Sequence, residues 1–570
     1  MKKFLLNISF IAALATMAVS CVDPEPEYKD FPSKDVDFSY AVAPNDNGEV
    51  EYALDYYVVS TIQFTNTSAK SGNVTWDFGD GTTSNEANPQ HKYATAGTYQ
   101  VKLTVDGVGS CTYPIMIYDI SPVLSIKEQS AEVLTINDVS VDFDIFLPNP
   151  ENKRVKYVWT FPDGAVTENG DPITTFEGYA DENGNVDYPG KIRFKNVGSQ
   201  RITLQTTFDL DGENRRLEDS YVNVQVGADQ PYKTLYYAAL DGNIKAYKLI
   251  PDGALPEGSK NLPFDMGVSS GVMPMTICYA NVDGEGWIYM LDCGKQYTYI
   301  NDENGVNGDG KINVMRVDGT GTNLFVSNVG KAAFDDPFFG CVDGDKLLYS
   351  DRNTGVRQLA LNTRGATEAN DYFVKNDMLG YYKRTTLDYG AISTTMLKDS
   401  KGVYWWGKCF NGYGIFRFKA EDIVPVYTDV SAGPYPVVLS NVQLRSFAID
   451  EQRGKLYVYR SKDANTGFCE YPLPGDNEGS DLTAVATKSI SMYADPINST
   501  QDEGVYVPQM VVDTETGFVY FGFNKAANDN SSYVTGLKYY NPTTQSIVEI
   551  TDCPDKILGI TINDNKTNLF

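Results

Sequence analysis

The sequence predicts an all-β chain, and three observations say so. From about residue 232 to the C-terminus one short phrase returns six times: a hydrophobic run, an Asp or Asn, a few polar residues usually including Gly, then a strand opening on aromatics. Upstream, two stretches alternate apolar and polar residues beside Asp-Gly turns, the period of two that a half-buried strand requires. Tyr is abundant, at 39 of 570 residues, and helix-favouring runs are scarce.

The phrase reads ANVDGEGWIYML at Asp283, GCVDGDKLLYSD at Asp343 and TMLKDSKGVYWW at Asp399. It returns as FAIDEQRGKLYVY at Asp450, MVVDTETGFVYF at Asp513 and ITINDNKTNLF at Asp564, so successive copies lie 51 to 63 residues apart. A period of roughly 50–60 residues built from short strands and turns is that of β-propeller blades. Such blades bury their faces only against neighbours, so the ring must close. The final copy ends at Phe570, where its second strand should begin. Lys233–Leu249 supplies a strand, an Asp241-Gly242-Asn243 turn and a strand, so the first and last segments are expected to complete one blade together. Six blades are predicted, or seven if Leu235–Val282 holds a full blade of its own.

Length and charge bound the rest. A chain of 570 residues is too long for one ordinary core. The formal net charge of −28 argues against nucleic acid and anionic membrane surfaces as partners. Lys2 and Lys3 precede an apolar run, Phe4–Val19, with the shape of a signal h-region and too short for a stable span. That run ends in Ala18-Val19-Ser20-Cys21, which resembles a lipoprotein lipobox, with cleavage before Cys21 and lipidation of its thiol implied. The acidic Asp23, Glu25 and Glu27 that follow resemble the signal sending Bacteroidota lipoproteins to the outer face of the outer membrane. The membrane is then reached only through the lipid anchor. Residues 1–20 are read as signal peptide and 21–33 as a Pro- and Glu-rich tether. The seven cysteines after Cys21 fit neither a CxxC metal site nor a paired framework, and most are expected as buried small hydrophobes.

Residues 34–119 contain VTWDFGDGTTSNEANPQHKYATAGTYQVKLTV, from Val74 to Val105, which resembles the signature of the PKD domain, an immunoglobulin-like sandwich. Trp76 and Phe78 alternate into a core, Asp77, Asp80 and Gly81 form a turn, and Gly97–Leu103 is read as the final strand. Residues 120–228 repeat the Trp-x-Phe-x-Asp-Gly phrase at Trp159–Gly164, with an insertion at 167–191, as a divergent PKD-like module. Gly227–Pro231 is read as the hinge into a propeller at 232–570. Two PKD-like sandwiches on a lipobox, followed by a propeller, resemble the PKD-like surface lipoproteins of Bacteroidota. That resemblance implies a SusC/SusD-type, TonB-dependent importer as partner, with a glycan or peptide as ligand.

The chain has one histidine, His91, inside the PKD signature, and it is read as a packed turn residue. A His-based hydrolytic triad and the usual zinc sites are thereby excluded. Carboxylates remain, and a propeller glycoside hydrolase working through a carboxylate pair is the alternative to a binding protein. A structural or adhesive surface protein is the third reading. The Asp residues of the repeats are expected to form turns. No cofactor is expected. The stretch Asp302–Asn313 resembles a calcium loop, with Asp302, Asn304, Asn307 and Asp309 as candidate ligands, although Gly305 and Arg316 occupy positions where such loops carry acids.

Aromatics are the better lead. Propeller topology places the segments before first strands and after second strands at one mouth. There the sequence offers Phe338, Tyr381, Tyr382, Arg384, Tyr389, Tyr297, Tyr299 and Trp406. Flat rings stack on sugars and pack peptide side chains, while Arg fixes orientation.

Overall fold

The computed structural model describes residues 34–44, 55–129, 134–136, 140–148, 154–181, 185–210, 213–240, 242–294, 310–327, 337–351, 355–367, 371–375, 393–408, 414–422, 435–440, 442, 444–460, 467–479, 488–490, 505–526 and 533–568. Every regular element among them is a β-strand except one 3-10 turn at Ala420–Asp422.

Strands between Phe38 and Tyr118 make two sheets. One joins Phe38–Val42, Ile62–Asn66 and Gln90–His91; the other joins Tyr56–Tyr57, Gly109–Tyr118, Gly97–Val105, Val74–Asp77 and Thr83–Ser84. Alternation turns Trp76, Val101 and Leu103 inward, all fully buried. The indole packs 5.1 Å from Phe38 and 5.7 Å from Phe64, and its Nε1 donates to Glu86 O at 3.0 Å. Gly79 follows at φ 80, and a Cβ there would approach the Gln100 backbone to 2.8 Å, so only glycine fits the turn. One correction concerns the end of this module: Gly97–Val105 is followed by Gly109–Tyr118, which pairs with it along its whole length.

The second sandwich faces the sheet Ala165–Thr167, Ile192–Phe194, Val141–Phe146, Val123–Gln129 against one built around Ser220–Gly227, Gly198–Leu210 and Val155–Thr160. Trp159 is fully buried in it, stacked at 6.2 Å on Phe161. The segment read as an insertion contributes a strand, Thr175–Ala180, paired with Val155–Thr160. Its burial pattern alternates, which is why the sheet accepts it.

Six further sheets follow among the described residues, most of four antiparallel strands. Their first strands touch in cyclic order: Pro274–Val282, Pro337–Asp343, Ser393–Lys398, Leu444–Asp450, Met510–Val512 and Ile557–Thr567, which returns to Pro274–Val282. The chain therefore closes into a propeller ring. In the closing sheet Ile557–Thr567 pairs with Tyr232–Ala239, then Asn243–Lys248 and Phe264–Ser269, so the chain's last strand and its first propeller hairpin share one blade. Side chains sew the seams between neighbouring blades. Thr276 Oγ1 donates to Phe338 O at 3.1 Å, and Ser446 Oγ donates to Val507 O at 2.7 Å.

Gln509 reaches furthest. Its Oε1 accepts from Ile277 N at 3.1 Å and Ile560 N at 2.8 Å, and its Nε2 donates to Ile277 O at 3.0 Å. It lines a central cavity of about 200 Å³ and ties three sheets together there. Gln509→Ala leaves three part-buried backbone groups without partners. A loss of about 1–3 kcal/mol in stability is expected, read as a lower urea midpoint.

The repeat aspartates mostly form turns. Asp283, at φ 54, and Gly284, at φ 88, make a left-handed pair between two strands, as a type I′ hairpin demands. Asp399, Asp450 and Asp513 accept backbone N–H bonds from residues two to four positions on. Asp564 departs from the expected turn, because Ile557–Thr567 runs straight through it. Its carboxylate lies 3.1 Å from Lys233 Nζ instead.

The segment 227–231 is not a free hinge. Val197 N donates to Lys260 O, Leu262 N to Val197 O and Ser199 N to Pro263 O, which fastens the second sandwich to the closing blade by main-chain bonds of 2.8–3.1 Å. Gly198, at φ 112, allows this approach, since a Cβ there would lie 2.3 Å from Leu262 O.

Candidate functional site

The residues predicted for the mouth are mostly outside the described residues: Tyr297, Tyr299, Tyr381, Tyr382, Arg384 and Tyr389, together with the calcium candidates Asp302, Asn304, Asn307 and Asp309 and the lipidation site Cys21. Two can be placed, and both correct the expectation. Trp406 is 2% exposed, packed with Leu348, Met396, Phe416 and Phe418 between neighbouring blades. Phe338 is 5% exposed, against Met275, Cys293 and Leu558, with its ring 4.8 Å from Phe339. Their aromatic faces are occupied by apolar neighbours, so neither ring is open to a ligand. No group of three or more His, Cys, Asp or Glu side chains placed to hold a metal occurs among the described residues. Cys278, Cys293, Cys469 and Cys553 are buried free thiols there, and Cys111 and Cys341 are half-buried.

His91 sits in the first sandwich with its ring stacked 4.1 Å from Phe78 and Nε2 2.7 Å from Asp80 Oδ2. Burial pushes the Asp80 carboxyl up, yet hydrogen bonds from Thr82 and then His91 bring it below the ordinary value. The repeat carboxylates are similarly engaged. Asp343 takes Lys398 at 2.7 Å and the Tyr404 hydroxyl at 2.5 Å, and Asp399 takes Trp405 Nε1 at 2.9 Å.

The described residues open instead at the seam where the closing blade meets the blade before it. A cleft of about 650 Å³ runs there beside the second sandwich's docking loop. One wall comes from Tyr247 and the stretch Leu249–Asp252, the other from Phe518, Tyr520, Tyr539 and Asp552. Phe518 and Tyr520 are two positions apart, so strand alternation presents both to the same side. Phe518 stacks on Tyr539 at 4.8 Å with an 18° tilt, and Tyr520 lies 5.4 Å from Tyr539. Tyr247, Phe518 and Tyr539 are half-buried, which leaves ring surface facing the cleft, whereas Tyr520 is buried.

Charge along the cleft is uneven. Lys233 bonds Asp513 at 2.7 Å, Lys260 bonds Asp163 at 2.8 Å and Lys566 bonds Glu515 at 3.0 Å, so all three lining ammoniums are neutralised. Glu549 pairs with Lys538 at 3.2 Å. Asp252 and Asp552 have no ion-pair partner among the described residues. Both act on the tyrosines. Burial and then Asp252 raise the Tyr539 hydroxyl. Burial and Cys553, followed by Asp552, push up the Tyr247 hydroxyl. Flat rings rimmed by unpaired carboxylates can hold a ligand that offers an apolar or cationic face with hydrogen-bond donors.

Sequence reasoning did not single out Tyr247, Phe518, Tyr520 or Tyr539. Phe518 and Tyr520 stand inside a repeat copy and read there as ordinary strand residues. The available signal was the joint blade itself: ring closure through two distant segments makes one seam unlike the rest.

Among solved structures, the chain is similar to a quinonprotein alcohol dehydrogenase-like protein from Bacteroides thetaiotaomicron, at 10% identity and TM-score 0.31, covering 75% of this chain and 95% of that one. It is also similar to the WD40 β-propeller domain of Doa1, at 12% identity and TM-score 0.27, covering 50% of this chain and 86% of that one. Likeness at these scores carries no inference about this protein. Over 49 residues the chain is 55% identical to Collagenase ColA of Bacillus cereus, a span that is 8% of this chain and only 5% of the collagenase. The family that matches is the PKD domain, over residues 47–114, within the first sandwich.

Proposed function

We propose that this protein is a surface lipoprotein, anchored through Cys21, that captures a nutrient ligand without cleaving it. The ligand is an oligosaccharide or an oligopeptide, presented to a TonB-dependent importer of SusC/SusD type. The aromatic seam cleft carries this reading, because its volume falls in the ordinary range of a small-ligand site and partly open rings line it among polar and charged groups. Binding is favoured over glycoside hydrolysis by the engagement of the repeat carboxylates in turns and ion pairs, where a hydrolase needs two of them facing one bond.

Calorimetry against oligosaccharides and peptides, with product analysis alongside, tests the proposal. Tyr539→Ala is expected to weaken the ligand found by about 2 kcal/mol, as loss of an aromatic anchor does. Turnover abolished by one Asp or Glu substitution would make the protein a glycoside hydrolase instead. Exposure at the surface has its own test: proteinase added to intact cells should degrade the protein, and Cys21→Ala should release it. The importer partnership predicts co-purification with a transporter from detergent-solubilised membranes.

A further inference from the structure

We infer that the seam cleft selects a ligand bearing an alkylammonium group, such as the lysine side chain or free amino terminus of an oligopeptide. This rests on the capture reading and narrows it. The cleft combines two features that one ligand chemistry satisfies together. Its walls include the half-buried rings of Tyr247, Phe518 and Tyr539, whose π faces attract cations within about 6 Å of a ring centroid. Its rim holds Asp252 and Asp552, acceptors only, neither of which makes an ion pair among the described residues, although Asp552 acts at longer range on Lys260.

The balance of the whole lining points the same way. Five carboxylates (Asp252, Asp513, Glu515, Glu549 and Asp552) face three ammoniums (Lys233, Lys260 and Lys566), and every one of those ammoniums already has a carboxylate. A neutral sugar can donate hydroxyl hydrogen bonds to the two carboxylates but brings no charge to balance theirs, and an anion would be repelled. An alkylammonium lays its methylenes along the rings and its N–H donors toward Asp252 and Asp552.

The test uses the full chain and three probes: trilysine, cadaverine and maltohexaose. Trilysine and cadaverine should bind, maltohexaose should not, and the double variant Asp252→Asn/Asp552→Asn should weaken trilysine on the order of tenfold. Because the surface as a whole is acidic, Glu218→Gln/Asp171→Asn serves as the control and should leave the affinity unchanged. Both pairs are surface changes, and an unaltered melting temperature checks that each variant is folded. If maltohexaose binds and Tyr539→Ala weakens it, capture stands and the ammonium preference falls. If trilysine binds equally well to the Asp252/Asp552 variant, or if the control weakens it as much, the attraction is unspecific and the inference falls. If no probe and no member of the wider oligosaccharide and peptide screen binds, capture falls as well.

Discussion

Deleting Ile557–Phe570 should abolish the cooperative unfolding of the propeller while the transition of the first sandwich persists. The deleted segment is the innermost strand of the closing blade, and its residues Ile557–Asn563 are all buried. It touches the first strands on both sides, so its removal opens the ring and exposes two seams at once. Four of the lost side chains are large aliphatics: Ile557, Leu558, Ile560 and Ile562. Burial of each such group is worth about 2–3 kcal/mol, and the sum approaches the whole stability of about 5–15 kcal/mol that a domain has. Differential scanning calorimetry of the truncated chain reads the outcome directly. An unchanged high-temperature transition would mean that the ring is held shut elsewhere.

Lys233→Met should cost about 3–5 kcal/mol at neutral pH, the effect of stranding a buried charge. Lys233 is 8% exposed and Asp513 2%, and their bond joins the first propeller strand to the turn of the preceding blade. Burial by itself would raise Asp513, but the hydrogen bonds from Lys233 and Thr516 outweigh it and bring the carboxyl below its ordinary value of 3.8. Lys233 is likewise opposed by burial and raised overall by Asp513 and Asp564, above 10.5. The sign of the pH dependence follows. Stability from the depressed Asp513 is complete above the ordinary carboxyl range and lost as pH falls through its folded value. Stability from the raised Lys233 is lost only as pH climbs past 10.5. The natural pair is therefore indifferent to pH between about 5 and 9. In Lys233→Met the stranded carboxyl is pushed up, so the penalty should shrink as pH falls from about 7 toward 4.5. Urea midpoints at those two values measure it, and an equal penalty at both would show that lost packing, not the stranded charge, is responsible.

Much of the fold is legible in the sequence. The Trp-x-Phe-x-Asp-Gly phrases place Trp76 and Trp159 in two cores because a strand of period two leaves no other face for an indole beside a tight turn. The repeats around Asp283, Asp343, Asp399, Asp450 and Asp513 are legible because each pairs a local turn requirement with a hydrophobic run. Asp564 misled, since the same letters in the last copy continue a strand whose partner lies more than 300 residues earlier. Gly109–Tyr118 and Thr175–Ala180 are not legible for a related reason: their places are decided by partner strands rather than by their own sequence. The site was far less legible. Trp406 has the composition of a stacking platform, but nothing local says whether an aromatic on a second strand faces solvent or the adjoining blade. The rings of the cleft come together only because two segments distant in sequence share one blade, and no local pattern records that juxtaposition.

The main-chain bonds between Val197–Ser199 and Lys260–Pro263 bear on how the molecule resists self-association. Phe264–Ser269 is the outermost strand of the closing blade, and Gln225 Nε2 and Ser199 Oγ engage Asp265 along the side that would otherwise recruit a foreign strand. The second sandwich thus acts as a built-in guard over a sticky border of the ring. Separated at Pro231, the propeller would present that border to its own copies, and a preparation of residues 232–570 would be drawn toward edge-to-edge oligomers that the intact chain avoids.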